Sequence, residues 1–265
     1  MTSVCVERLD HLGLIAATMK DLGLIDMIDA RLVPHDQEAI TAGEAVAGMI
    51  LNGLGVAKQP VSLTPRFLAN KPLALLFRQG VQAEMCNRLK RGRTLDDVHA
   101  YGGDVLFSEL ALAVCDQEGM AQRFPHLATT SFSLSGDDVP ETDEQAIQIT
   151  HGYAKDHRPD LKPAVLELMV SQDGGVPMAS KSWDGTASDS HICQERAAAL
   201  ITTFASRAAP HYLVADAKLY SEDNAVHRSK LGFITRIPAT LKLVSQVITP
   251  ARQWGTWSRL DAMTR

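Results

Sequence analysis

The chain has 265 residues, 45% of them apolar and 22% charged, with a formal net charge of −5. That is ordinary for a soluble globular protein of one large domain or two modest ones, and the overall charge does not advertise nucleic-acid binding. No run is long and apolar enough to span a membrane, and residues 1–10 carry charges without the apolar core of a secretory signal.

The first part, to about Gly119, reads as helical. Leu12 to Met19 starts one amphipathic segment; Leu22, Ile25, Met27, Ile28 and Leu32 continue a second, which Pro34 stops. Thr41-Ala42-Gly43-Glu44 has capping-box spacing and opens a very apolar helix through Ala47, Met49, Ile50 and Leu54. Short pieces broken by Pro60, Pro65 and Pro72 follow. Thr94-Leu95-Asp96-Asp97 reads as another helix start, and a last helix runs from about Asp104 through Val114. Two readings stand for this part: a DNA-binding head, or a packing or dimerisation domain. No helix-turn-helix signature names a recognition helix.

From Phe124 the texture changes. Thr129 to Gly136 alternates Phe132 and Leu134 with small polar residues, as a half-buried strand does. After an acidic loop, Asp137 to Glu144, Ala146 to Thr150 is a second predicted strand. Val165 to Val170 is a third, closed by Asp173-Gly174-Gly175. Ser188-Asp189 begins a long helix to about Arg207. Leu213-Val214-Ala215 then forms a fourth strand that delivers Asp216 at its end. Ser221 to Lys230 reads as a short helix, and Phe233 to Ile237 as the fifth strand. The predicted order, β-β-β-α-β-α-β, implies a mixed sheet with helices on its faces. A ribonuclease-H-like core has that order, with its acidic residues on the first and fourth strands, which are sheet neighbours. The expected fold class is therefore α+β, with a helical domain over residues 1–119 and a ribonuclease-H-like domain over 120–265.

Basic residues collect in two places. Arg78, Arg88, Lys90, Arg91 and Arg93 lie close together, opposed only by Glu84. From Asn224 onward, Arg228, Lys230, Arg236, Lys242, Arg252, Arg259 and Arg265 stand against Asp261 alone. Each cluster reads either as a surface for phosphates or as a solvated face. Lys155, His157 and Arg158 form a smaller cationic group. It reads as a phosphate contact or as a loop fixed by Arg158 pairing with Asp156 or Asp160. Arg236 points toward a site or toward solvent. Asp216 is a metal ligand or a cap for the helix after it. Cys5, Cys86, Cys115 and Cys193 are far apart and form no CxxC pair, against a zinc site or disulfide framework and in line with a cytoplasmic chain. No GxGxxG, P-loop or GxSxG motif is present.

Several runs carry more than a pattern. They are His126-Leu127-Ala128-Thr129-Thr130-Ser131-Phe132, Gly152 through Leu161, Trp183-Asp184-Gly185-Thr186-Ala187-Ser188-Asp189, and Leu213-Val214-Ala215-Asp216 with Phe233 through Pro238. Together they resemble a bacterial insertion-sequence DDE transposase, a ribonuclease-H-like family with a helical N-terminal domain. The most specific piece is His157-Arg158-Pro159-Asp160. The resemblance implies DNA transposition, in which two Asp and one Glu hold two divalent ions, Mg2+ or Mn2+, for an in-line displacement at phosphorus. It implies Asp216 as the second Asp, catalytic and metal-binding. It also implies Lys155, His157, Arg158 and Arg236 as DNA contacts. The implied partners are transposon-end DNA and further copies of the chain, with no membrane and no small-molecule cofactor, in a bacterial cytoplasm or on the nucleoid.

Two departures bear on activity. Ala128 stands where the family has its first Asp, and alanine offers no oxygen to a metal. Asp137 and Asp138 lie about 30 Å further along an extended chain at about 3.3 Å per residue. No Glu follows Glu222, so the late catalytic Glu is expected to be missing, as in a chain truncated before it. The expected function is therefore a DDE transposase-like protein that is catalytically inactive and binds divalent metal poorly. The alternative is a non-catalytic DNA-binding or dimerising remnant. An unrelated metal-dependent hydrolase suffers from the same missing ligands.

Overall fold

A computed structural model describes residues 6–35, 37–55, 60–120, 123–134, 147, 160–188, 191–192, 195–196, 212–216, 232–236 and 242–255. The chain divides into two units, Met1–Gly119 and Met120–Arg265.

The first unit is helical. Helices α1 (Leu12–Asp21) and α2 (Leu24–Asp29) meet at Gly23, and α3 spans Ala42–Gly53. The predicted capping box is formed: the Glu44 N–H donates to Thr41 Oγ1 at 3.0 Å, and the Thr41 N–H donates to Glu44 Oε2 at 2.9 Å. Pro60, Pro65 and Pro72 keep the next pieces short, namely a 3-10 turn at Val61–Leu63, α4 (Thr64–Leu68) and α5 (Leu73–Leu76). A 3-10 turn at Ala83–Cys86 leads into α6 (Arg88–Tyr101), followed by α7 (Gly103–Gln117). The main core joins Leu12, Ile40, Leu51, Phe67, Leu68 and Cys86. A second cluster, Ile28, Leu32, Ala42 and Leu106, packs α2 and α3 on α7.

One predicted boundary is corrected. Thr94 does not start a helix: it is fully buried in the middle of α6. The cap is Asn87, whose side-chain oxygen accepts the Lys90 N–H at 3.0 Å. A capping residue ahead of the run satisfies the orphan amides there, so the helix starts six residues earlier than Thr94. No single described helix is long and apolar enough to cross a membrane.

Cys86 and Cys115 are buried free thiols. Burial pushes the Cys86 thiol up from an ordinary 9.0 to about 11; Arg91 opposes the rise and Glu44 adds to it. Between those values only the unfolded chain releases this proton, so stability falls as pH rises from 9.0 to about 11 and levels off above it. At about 1.4 kcal/mol per unit the loss amounts to roughly 2–3 kcal/mol. Urea midpoints across this range should show that slope in the natural chain and a shallower one in Cys86→Ala. Equal slopes would mean that other groups set the alkaline limit.

The second unit holds one five-stranded sheet with the order β3-β2-β1-β4-β5: β1 His126–Leu134, β2 Lys162–Val170, β3 Pro177–Asp184, β4 Tyr212–Ala215 and β5 Gly232–Thr235. The first three strands pair antiparallel, and β4 and β5 run parallel to β1. The fold is thus α+β, a helical region followed by a mixed sheet, as expected from the sequence. The strand assignment differs in detail. Val165–Val170 belongs to the second strand of the sheet, and Pro177–Asp184, which the pattern did not mark, is the third. Asp173-Gly174-Gly175 forms the hairpin between them, with Gly174 and Gly175 at φ 70° and 63°, a backbone region that favours glycine. A register shift at Met169/Val170 buries Met178 and Ala179 side by side, which breaks the period-two signal of β3. The predicted strand at 146–150, the acidic loop 137–144 and the helix at 221–230 lie outside the described residues, apart from Ile147.

The two faces of the sheet differ. Leu127, Val165, Glu167, Met169, Trp183 and Leu213 are buried on one face, where Ile192 packs with Val165 and Trp183. Ser188 starts that covering helix as predicted: its side-chain oxygen accepts the His191 N–H at 3.3 Å, and residues 191–192 and 195–196 are helical. The opposite face is partly exposed among the described residues, with Ala164, Leu166, Leu168 and Val170 of β2 half-buried there. Phe132 and Leu134, the apolar positions of the predicted strand, are 50% and 37% exposed there. The strand was legible, but its inner face is the one carrying Leu127, Thr129 and Ser131. The last described helix, α8, spans Lys242–Gln253.

Candidate functional site

The row of interest lies where β4 and β5 end beside β1. Parallel pairing aligns Leu127 with Ala215, and Ala215 with Thr235. The Val214 N–H donates to Pro125 O at 2.9 Å and extends the same register. One residue further along each strand come Ala128, Asp216 and Arg236. All three are exposed. The Thr235 hydroxyl donates to the Asp216 carbonyl oxygen, tying the ends of β4 and β5 together. Sequence reasoning missed Thr235, because its role depends on the β4–β5 register.

Of the residues expected from the sequence, Ala128, Asp216 and Arg236 are described, each one residue past the aligned Leu127, Ala215 and Thr235. Lys155, His157 and Arg158 lie outside the described residues, as do Arg228, Lys230, Arg259 and Arg265. Among the described residues no three His, Cys, Asp or Glu side chains gather as a metal-binding group. Two divalent ions want several hard oxygen ligands, and this row supplies one carboxylate. The described residues therefore do not fit a two-ion site.

Gly185, in the Trp183-Asp184-Gly185 run, has a packing reason for its identity. A Cβ there would lie 2.0 Å from the Pro163 carbonyl oxygen at the start of β2, so only glycine lets β3 end against β2.

The Arg78–Arg93 cluster is not a free basic surface. The Arg78 Nε pairs with Glu44 Oε1 at 2.7 Å and braces the α3 cap. Lys90 is buried and pairs with Glu38 at 2.6 Å. Arg91 is buried and donates to Cys86 O at 3.1 Å and Ser62 O at 3.2 Å. Only Arg88 and Arg93 of this group are exposed without a described structural role. Both sequence readings, phosphate surface and solvated face, are thus corrected for Lys90 and Arg91: a buried cation with protein acceptors holds the fold.

Residues 4–112 match a family profile described only as a domain of unknown function, DUF4277. Among solved structures, the chain is similar to a Mos1 transposase paired-end complex with left transposon end, at 10% identity and a TM-score of 0.28, covering 79% of this chain and 70% of that one. It is also similar to a pre-cleavage Mos1 transpososome, at 10% identity and a TM-score of 0.28, covering 97% and 87%. Likeness at that level carries no argument about function. No curated protein matches the chain.

Proposed function

We propose that this chain is a transposase-like protein of the DDE class that binds DNA and does not cut it. The observation that supports the reading is the pairing of Leu127 with Ala215 on the adjacent first and fourth strands of a mixed sheet, which makes Ala128 and Asp216 the next residue along each. That is the place where the resembled family keeps its two Asp residues, and here one of the pair is alanine. Of the sequence runs that carry the resemblance, those within the described residues fall on β1, on the end of β3, on β4 and on β5. Arg236 follows the end of β5, and Lys155, His157 and Arg158 are the further cations proposed for phosphate contact.

The test is fluorescence anisotropy with a labelled duplex, alongside a cleavage assay in Mg2+ and in Mn2+. About three phosphate contacts predict a slope near −3 for log K against log salt, at about 0.9 per phosphate. No strand scission is expected with either ion. Failure to bind any duplex at low salt would end the DNA reading, and metal-dependent scission would end the non-cutting one.

A further inference from the structure

We infer that the seam between α6 and the segment joining α2 to α3 holds a buried water molecule, bound by Thr94, Lys90 and Glu38. The site is independent of the DNA reading. Lys90, Thr94 and Asp97 are spaced i, i+4, i+7 on α6, so they lie along one stripe of the helix. Two ion pairs fasten the joining segment to that stripe. His35 Nε2 meets Asp97 Oδ2 at 3.1 Å, and Glu38 Oε2 meets Lys90 Nζ at 2.6 Å. At about 1.5 Å of rise per residue, Lys90 and Asp97 are about 10 Å apart along the helix, with Thr94 between them. Thr94 thus lies between the two anchors, and it is 0% exposed.

Three polar atoms on these side chains lack a partner. Among the described residues, Thr94 Oγ1, Lys90 Nζ and Glu38 Oε1 are buried without a hydrogen bond. The approach of Lys90 to Glu38 is an ion pair that is not aligned as a hydrogen bond, and it involves only the other carboxylate oxygen. A threonine inside a helix can turn its hydroxyl back to the carbonyl four residues earlier, but Thr94 does not. The next residue on α6 makes the contrast: Arg91 is equally buried and donates to Cys86 O and Ser62 O. Buried polar groups without partners are rare, because each gives up its bonds to water on folding.

The charges select the ligand. The ammonium repels a cation, the carboxylate repels an anion, and the pair is formally neutral. What fits is a neutral molecule that both donates and accepts. Water accepts from Lys90 Nζ, donates to Glu38 Oε1 and spends its remaining bond on Thr94 Oγ1, the usual complement of about three for a buried water. Side chains one turn apart on a helix have Cβ atoms about 5–6 Å apart, a gap that a single bridging molecule spans.

Oxygen-17 relaxation dispersion on the full chain tests this, because it reads waters held longer than the molecular tumbling time. Thr94→Ser keeps the hydroxyl and should leave the dispersion amplitude unchanged. Thr94→Val keeps the shape without the hydroxyl and should lower the amplitude by the share of a single water. Circular dichroism and melting curves confirm that each variant is folded. Equal amplitudes in the natural chain and a folded Thr94→Val chain overturn the inference. A high-resolution crystal structure of the natural chain needs no variant. It should show a water within about 3.2 Å of Thr94 Oγ1, Lys90 Nζ and Glu38 Oε1. A direct hydrogen bond from Thr94 to Glu38, or no density between the three atoms, overturns it equally.

Discussion

Replacing Glu167 with alanine is expected to destabilise the sheet unit by about 3–5 kcal/mol, among the largest single-residue effects in the protein. Glu167 is 1% exposed, in the middle of β2 on the covered face. It accepts the Trp183 indole N–H at 2.8 Å and a charged hydrogen bond from Arg196 Nε. Alanine would leave the Arg196 guanidinium, only 15% exposed, beside an uncompensated gap, and would leave the indole N–H without its acceptor. Neighbouring contacts share the load. Lys181 Nζ sits 4.0 Å over the Trp183 ring and pairs with Glu195 at 2.8 Å, on the same helix as Arg196. The network thus fastens that helix to β2 and β3.

Urea unfolding followed by tryptophan fluorescence gives the measurement. Glu167→Gln keeps an acceptor for Trp183 and should fall between alanine and the natural chain. Replacing Glu167 and Arg196 together by leucine should recover most of the loss, because the pair is imperfect. Among the described residues, Arg196 Nη2 is buried without a hydrogen-bond partner, and a poorly satisfied buried pair is often no better than apolar packing. An alanine variant that unfolds at the natural midpoint would mean the helix is held by Ile192 and Trp183 packing alone.

Glu167 also shows how far the sequence could be read. It lies among Val165, Leu166, Leu168 and Met169, where a lone carboxylate on the inner face signals a buried partner. The partners, Trp183 and Arg196, come from an unmarked strand and from the helix after it, so only the pairing of β2 with β3 reveals them. The α3 cap was legible because capping chemistry is local: Thr41 and Glu44 are three residues apart and answer each other's amides. The start of α6 was not, because the run after Asn87 is strongly basic and its two middle cations, Lys90 and Arg91, are turned inward. On β1 the alternation was correct and the face was reversed. The large side chains Phe132 and Leu134 stand on the partly exposed side, and Thr129 and Ser131 on the side of the core. Burial there is decided by what covers the sheet, which period-two patterning does not contain. Ala128, Asp216 and Arg236 were singled out through the family resemblance; the strand register that aligns Leu127, Ala215 and Thr235 just before them came from the structure.

Arg91→Ala is expected to cost about 3 kcal/mol or more and to leave any DNA salt slope unchanged once the surviving folded fraction is accounted for. Arg91 is 4% exposed. Its Nε donates to Cys86 O at 3.1 Å and Asn87 O at 3.3 Å, its Nη2 to Ser62 O at 3.2 Å, and its Nη1 reaches Thr64 Oγ1 at 3.5 Å. These contacts tie the start of α6 to the 3-10 turns before α4 and α6. Each buried acceptor left without a donor costs about 1–3 kcal/mol, and the emptied volume adds to that. The exposed members of the same cluster should behave in the opposite way. Arg88→Gln and Arg93→Gln should change stability by no more than about 0.5 kcal/mol. If this helix meets DNA at all, each should make the salt slope shallower by about one. Urea midpoints and anisotropy slopes on the three variants separate the two kinds of basic residue. An Arg91→Ala chain with the natural midpoint and a shallower slope would return this arginine to the DNA surface, and with it the reading of the whole cluster as a phosphate contact.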